Sequence, residues 1–154
     1  MGLFSFLHRK TEFFSPEEKK QIVDAVQKAE KETSGEVRIF VEHRCRFVNA
    51  LDRAVEIFHQ LKMEQTEQRN AVLLYVALKD RQLAVYGDQG IHEKVGNEYW
   101  EKQVKKMIKD FNRNNYAEGI AKCVLEIGNA LAKNFPYDPN TDKNELPDDI
   151  VFGK

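Results

Sequence analysis

The chain has 154 residues, about one domain's worth. Hydrophobic residues make up 42% and charged residues 32%, which excludes both a disordered chain and one dominated by membrane spans. Twenty-four Lys and Arg stand against 25 Asp and Glu, a net charge of −1, so the clustered basic excess of a general nucleic-acid binder is missing.

Residues 1–14 read as an N-terminal extension. Leu3, Phe4, Phe6 and Leu7 are too few and too interrupted for a secretory apolar region, and Phe6 stands where a myristoylation signal wants Ser or Thr. No run of about 20 apolar residues exists to span a bilayer. With only two cysteines and no transmembrane segment, the expectation is a cytoplasmic chain without a disulfide framework.

A single domain is expected over 15–136. Ser15-Pro16-Glu17-Glu18 is a helix start: a cap, a proline suited to the first helical position, and a glutamate three residues on that completes a capping box. Ile22, Ala25, Val26 and Ala29 give that helix one apolar face, and Ser34-Gly35 ends it. Val37, Ile39 and Val41 alternate with polar or larger neighbours, predicting a strand over 36–42. Leu51, Ala54, Val55, Phe58 and Leu61 predict a second helix over about 49–62. Ala71 to Leu78 is a near-continuous apolar run, as in a central strand covered on both faces. After a short turn, residues 82–87 predict its antiparallel partner. Gly87-Asp88-Gln89-Gly90 breaks that strand. Trp100, Val104, Met107, Ile108 and Phe111 mark a third helix, and Ile120, Val124, Ile127 and Leu131 a fourth. Residues 137–154 form an acidic tail expected to pack on the domain, with 149–152 as a short edge strand.

Strand, helix, strand is a βαβ unit, so strands 36–42 and 71–78 should run parallel while 82–87 runs back. Helices on both faces make this α/β chain a three-layer α/β/α sandwich around a small mixed β-sheet.

That topology limits which polar residues can meet. An eight-residue strand spans roughly 26 Å, so Asp80 and Asp88 belong to opposite ends of the hairpin. The Asp88 end gathers Glu36, Asn70, Arg69 and Thr66, with Arg38 close along the first strand. Asp88, Glu36 and Asn70 offer the oxygen donors that calcium or magnesium prefers, with Arg69, Arg38 and Thr66 in support. The competing reading is an ion-pair network in which Arg69 or Arg38 neutralises the carboxylates and fastens the loop to the sheet. Gly87-x-x-Gly90 lacks the spacing of a phosphate loop, and Asp88 would repel a phosphate, so its glycines are read as permitting the chain to turn.

Other residues carry less. Asp138, Asn140, Asp142, Asn144 and Asp149 echo an EF-hand loop, but Lys143 occupies the position that needs glycine, and a solvated acidic tail is expected. Four dispersed histidines (His8, His43, His59 and His92) give no zinc spacing. Cys45, between Arg44 and Arg46, is read as a loop thiol, Cys123 as a core residue and Trp100 as core. Lys102, Lys105, Lys106 and Lys109 read as a solvated helix face able to meet an acidic partner.

Taken together, Thr33-Ser34-Gly35-Glu36-Val37-Arg38, Phe58 to Met63, Thr66-x-x-Arg69-Asn70, Val72 to Ala77 and Gly87-Asp88-x-Gly90-Ile91 resemble the TPM domain. The stretches Phe111 to Gly119, Phe135-Pro136 and Asp142 to Leu146 fit the same pattern. The resemblance implies an α/β/α sandwich of the small soluble branch, without the signal peptide and C-terminal membrane helix of many relatives. It also implies the activities described for members, acid phosphatase and divalent-cation binding. The family's usual Gly-aromatic-Gly-Leu-Glu loop is here Gly87-Asp88-Gln89-Gly90-Ile91, which shifts the expectation toward oxygen ligation at Asp88. The resulting expectation is a non-catalytic interaction or regulatory module that binds Ca2+ or Mg2+ at the 87–91 loop and meets a protein partner. The alternative is a metal-assisted acid phosphatase acting on phosphomonoesters.

Overall fold

The structure, a computed structural model, describes residues 13–46, 49–139 and 150–153. The apolar N-terminal residues Leu3 to Leu7 and the acidic run from Asn140 to Asp149 lie outside the described residues.

Helix α1 (Pro16–Glu30) starts as its sequence dictates. The Ser15 hydroxyl accepts from the Glu18 amide at 3.1 Å, and the Glu18 carboxylate accepts from the Ser15 amide at 2.9 Å. Strand β1 (Glu36–Glu42) follows, then helix α2 (Ala50–Gln60), capped by the Asn49 side chain. Strand β2 (Ala71–Ala77) is buried at every position, which accounts for its unbroken apolar composition. Strand β3 (Gln82–Gly87) returns beside it. Helices α3 (Gln89–Val95), α4 (Asn97–Asn112) and α5 (Tyr116–Asn134) come next, and strand β4 (Val151–Phe152) closes the order.

The four strands lie in the order β3-β2-β1-β4. β1 and β2 are parallel, with Glu36 opposite Ala71. β3 is antiparallel to β2, with Gly87 opposite Val72, and β4 adds to the β1 edge in parallel, with Val151 opposite Phe40. Alternation along the strands divides the core. Val37, Ile39, Val41, Val72, Leu74 and Val76 face the layer built by α1, α4 and α5. Leu73, Tyr75 and Ala77 face α2, whose Ala54, Ile57 and Phe58 are fully buried. The mixed sheet between helical layers is the expected sandwich.

One element differs from the sequence reading. Residues 89–95 form a short helix where only a break was expected, because Asp88 caps it by accepting from the Gln89 amide at 2.8 Å. Gly96, with φ of +80°, separates α3 from α4 in a conformation that suits glycine. The two glycines of the 87–90 loop answer to close packing. A Cβ on Gly87 would lie 2.2 Å from the Trp100 ring, and one on Gly90 would lie 2.1 Å from the Gln68 carbonyl oxygen.

Phe14 is 4% exposed in the core, and the Phe13 ring stacks on His43 and Phe152 with centroids 4.2 and 5.0 Å away. Among the described residues no helix is long and apolar enough to cross a membrane.

Candidate functional site

The topology brings the start of β1, the start of β2 and the end of β3 to one rim of the sheet. The Glu36 amide donates to the Asn70 carbonyl at 3.4 Å, and the Asp88 amide donates to the Ala71 carbonyl at 2.9 Å. Glu36, Asn70, Asp88 and Thr66 are all buried there, between 1% and 6% exposed. Asn70 and Asp88, 34 and 52 positions beyond Glu36 in the chain, thus reach its rim as the sheet register requires.

Their side chains are nevertheless engaged separately. The Asp88 carboxylate takes a forked pair from Arg69, Nε at 2.6 Å and Nη2 at 2.8 Å, in addition to the Gln89 amide. This is the charge-assisted, two-pronged arrangement for which guanidinium is suited. The Asp88 carboxylate also pushes the Arg69 guanidinium above its ordinary pKa, chiefly through these hydrogen bonds. Asn70 turns toward β1, its Nδ2 donating to the Ser34 hydroxyl at 3.3 Å. Its Oδ1 is buried and has no hydrogen-bond partner among the described residues. The Thr66 hydroxyl accepts from the Asn70 amide at 3.3 Å and shapes the turn before β2. Arg38 stands two residues along β1 from Glu36, on the same face of the sheet.

Arg69 has an unusual backbone. Its φ of +51° is left-handed, uncommon for a residue with a Cβ. In that conformation its carbonyl accepts the Gly90 amide at 2.8 Å while its guanidinium reaches Asp88. Both ends of one residue therefore fasten the 87–91 loop. The carboxylate is 2% exposed, whereas the arginine side chain that covers it is 40% exposed.

Of the two readings of this rim, the ion pair is the arrangement present. A cation taking Asp88 as ligand has to displace Arg69 from it. Among the described residues, no three His, Cys, Asp or Glu side chains come together as a metal-holding group. A cleft of about 460 Å3 opens beside the pair, bordered by Arg69, Tyr86, His92, Trp100 and Glu101. Trp100 Nε1 donates to His92 Nδ1 at 3.0 Å, which leaves the proton of the neutral imidazole on Nε2.

A matching family model decides what this domain is: that of the TPM domain, which matches residues 8–130. The chain belongs to the TPM domain family. The NMR structure of BA42 protein from the psychrophilic bacterium Bizionia argentinensis is 40% identical, with a TM-score of 0.84, covering 92% of this chain and 97% of that one. The N-terminal domain of a P. gingivalis protein is 17% identical with a TM-score of 0.63, over 81% of this chain and 80% of that one. The N-terminal domain of the cg2496 protein from Corynebacterium glutamicum is 11% identical with a TM-score of 0.56, over 77% and 74%. These last two likenesses are of fold alone. No curated protein matches the chain.

The opposite rim of the TPM domain holds a charged network that the sequence reading missed. Glu42, 6% exposed, accepts from Arg53 Nε at 2.9 Å, from Arg53 Nη2 at 3.0 Å and from the Tyr75 hydroxyl. Arg53 also donates to Glu56 at 2.5 Å. Burial pushes the Tyr75 phenol up, and the hydrogen bond to Glu42 adds to this. Two signals were present: a tyrosine inside a continuous apolar strand, and an acidic residue two places beyond Phe40 on its face. Asp80 lies at this end, as the strand length demands, accepting from the Cys45 amide at 2.7 Å and from Arg44 at 3.3 Å. Cys45 is partly buried, and Cys123 is a core thiol that burial pushes up.

Proposed function

We propose that this TPM domain is a non-catalytic interaction or regulatory module that takes a divalent cation, calcium or magnesium, at the Asp88 rim in competition with Arg69. The observation that carries the reading is the clamp itself: an Asp88 side chain 2% exposed, covered by an Arg69 side chain that is 40% exposed. Such an arginine can swing into water and surrender both carboxylate oxygens. A hard dication gains oxygen ligands from a carboxylate and from carbonyls of the loop, and Glu36 and Asn70 on the same rim add an acid and an amide oxygen. Binding would exchange one cation for another, so the loop would be re-tied around the metal and its outer surface would change with cation concentration.

Mass action supplies the test. A ligand at a hundredfold excess over its dissociation constant stabilises the fold by about 2.7 kcal/mol. Thermal melts of the wild type in EDTA, millimolar calcium and millimolar magnesium should separate. Asp88→Ala should abolish the separation, while Arg69→Gln should enlarge it by removing the competitor. Identical wild-type melts in all three buffers, or a metal shift that persists in Asp88→Ala, would defeat the reading.

Metal-assisted hydrolysis of phosphomonoesters is the second reading, favoured by the cleft that exposes Arg69 beside Asp88. Arg69, once off the carboxylate, would stabilise charge on a phosphoryl oxygen. It ranks lower because the cleft pairs His92 with Trp100 and gives it no nucleophile to activate. Phosphatase activity that survives repurification and vanishes in Asp88→Asn would promote it above simple binding.

A further inference from the structure

A second cleft of about 500 Å3 lies between the end of α3, one face of α4 and the C-terminal half of α5. It shares no residue with the cleft beside Asp88. Lys94, Lys102, Lys106 and Lys133 line it, against the single carboxylate of Glu126. Lys106 pairs with Glu126 at 3.0 Å, so three lysines are left without a carboxylate partner among the described residues. Gln103 also lines the cleft and is 3% exposed. Its Oε1 is buried and has no hydrogen-bond partner among the described residues. A buried acceptor left unsatisfied costs about 1–3 kcal/mol, a cost that a donor brought in by a ligand would offset.

These two features specify complementary chemistry. Lysine ammonium groups are mobile point charges suited to phosphate oxygens. A buried amide oxygen accepts an O–H or N–H from the ligand, and a hydroxyl carried beside the phosphate can supply it. The cleft volume suits a small molecule. We propose that this cleft binds a phosphorylated polyhydroxy compound, its phosphates held by Lys94, Lys102 and Lys133 and one hydroxyl donated to Gln103 Oε1. The site is independent of the cation reading at Asp88.

Amide-resolved NMR titration of the full chain tests it, with fructose 1,6-bisphosphate as probe and pyrophosphate as a control that has the charge without the polyol. The sugar bisphosphate should give saturable shifts confined to residues 94–106 and 126–134, and should bind about tenfold more tightly than pyrophosphate. Lys102→Glu with Lys133→Glu should weaken both ligands. Gln103→Leu should erase the preference for the sugar while raising the melting temperature of the free protein. Equal affinity for the two probes, shifts scattered over all surface lysines, or no saturation at millimolar concentration would each overturn the proposal. A lowered melting temperature in Gln103→Leu would show that Oε1 already has a protein donor and would overturn it too. Vesicles containing a phosphoinositide separate a lipid headgroup from a free metabolite. Sedimentation with them that excess fructose 1,6-bisphosphate fails to compete would overturn the soluble-ligand assignment.

Discussion

Replacing Arg53 by methionine isolates the arginine–carboxylate pair of this TPM domain whose arginine is 20% exposed, against 40% for Arg69. Methionine keeps an unbranched side chain but removes the guanidinium that lies 5.9 Å from the Phe40 ring centroid, with its two hydrogen bonds to Glu42, at 2.9 and 3.0 Å, and one to Glu56. The Glu56 bond contributes little, because that carboxylate is 40% exposed. The Glu42 carboxylate is 8% exposed and would keep only the Tyr75 hydroxyl. Breaking a buried pair from one side typically costs about 3–5 kcal/mol. Arg53 is 20% exposed, so water partly refills its place and the lower end, about 3 kcal/mol, applies. At about 2–4 °C per kcal/mol for a domain of this size, the melting temperature should fall by about 6–12 °C. Urea denaturation of Arg53→Met, Glu42→Gln and the double variant gives the coupling directly. The double variant should be more stable than the sum of the single losses implies, since it removes the stranded charge along with its partner. A loss below about 1 kcal/mol for Arg53→Met, or strict additivity in the cycle, would refute the claim that Glu42 is a buried, arginine-dependent anion.

Gly90→Ala should cost more than about 3 kcal/mol and Gly87→Ala about 1–3 kcal/mol, because the new methyl of the first meets fixed backbone carbonyls and that of the second meets a ring that can tilt; denaturation curves showing the reverse order would contradict this. Stability should decline on the alkaline side: Tyr75, Tyr99 and Cys123 are all pushed up by burial, so each contribution is complete below its unfolded value, about 8.5 for a thiol and about 10 for a phenol, and is lost as pH rises beyond it. Melting temperatures unchanged between neutral pH and pH about 10.5 would oppose that sign. Ser15→Ala should cost about 1 kcal/mol by removing half of the capping box, with a smaller loss in Ser15→Gly.

Much of the architecture was legible because it is written in local period. The apolar alternation of residues 36–42, the solid run of 71–77 and the capped face of 16–30 each specify one element, and the parallel register then carries Glu36 and Ala71 to the same rim without further information. The short edge strand survived as Val151–Phe152, since it needs only a free β1 edge. Helix α3 escaped notice because Gly87 and Gly90 look like breakers, although their small size serves contacts with Trp100 and with the Gln68 backbone. Pairing of charges was less legible. Periodicity placed Asp88, Arg69, Glu36 and Asn70 at one end, yet gave no reason why Asn70 should turn to Ser34 while Arg69 turns to Asp88. That choice depends on the left-handed backbone at Arg69, a conformation no composition rule assigns to arginine.

The two buried carboxylates then differ in a way that bears on which rim can change state. Glu42 is held from three directions by Arg53 and Tyr75, and its arginine is 20% exposed within α2. Asp88 is held by an arginine twice as exposed, on a turn whose left-handed φ costs about 1–2 kcal/mol. Releasing Arg69 would return a solvated guanidinium to water, offsetting part of the lost ion pair, while its carbonyl still holds the Gly90 amide. No such return is open to Arg53 without unpacking α2 from Phe40. A cation or another ligand that exchanges with an internal arginine should therefore act at the Asp88 end, where the carboxylate is buried enough to be strong and its guardian is exposed enough to leave.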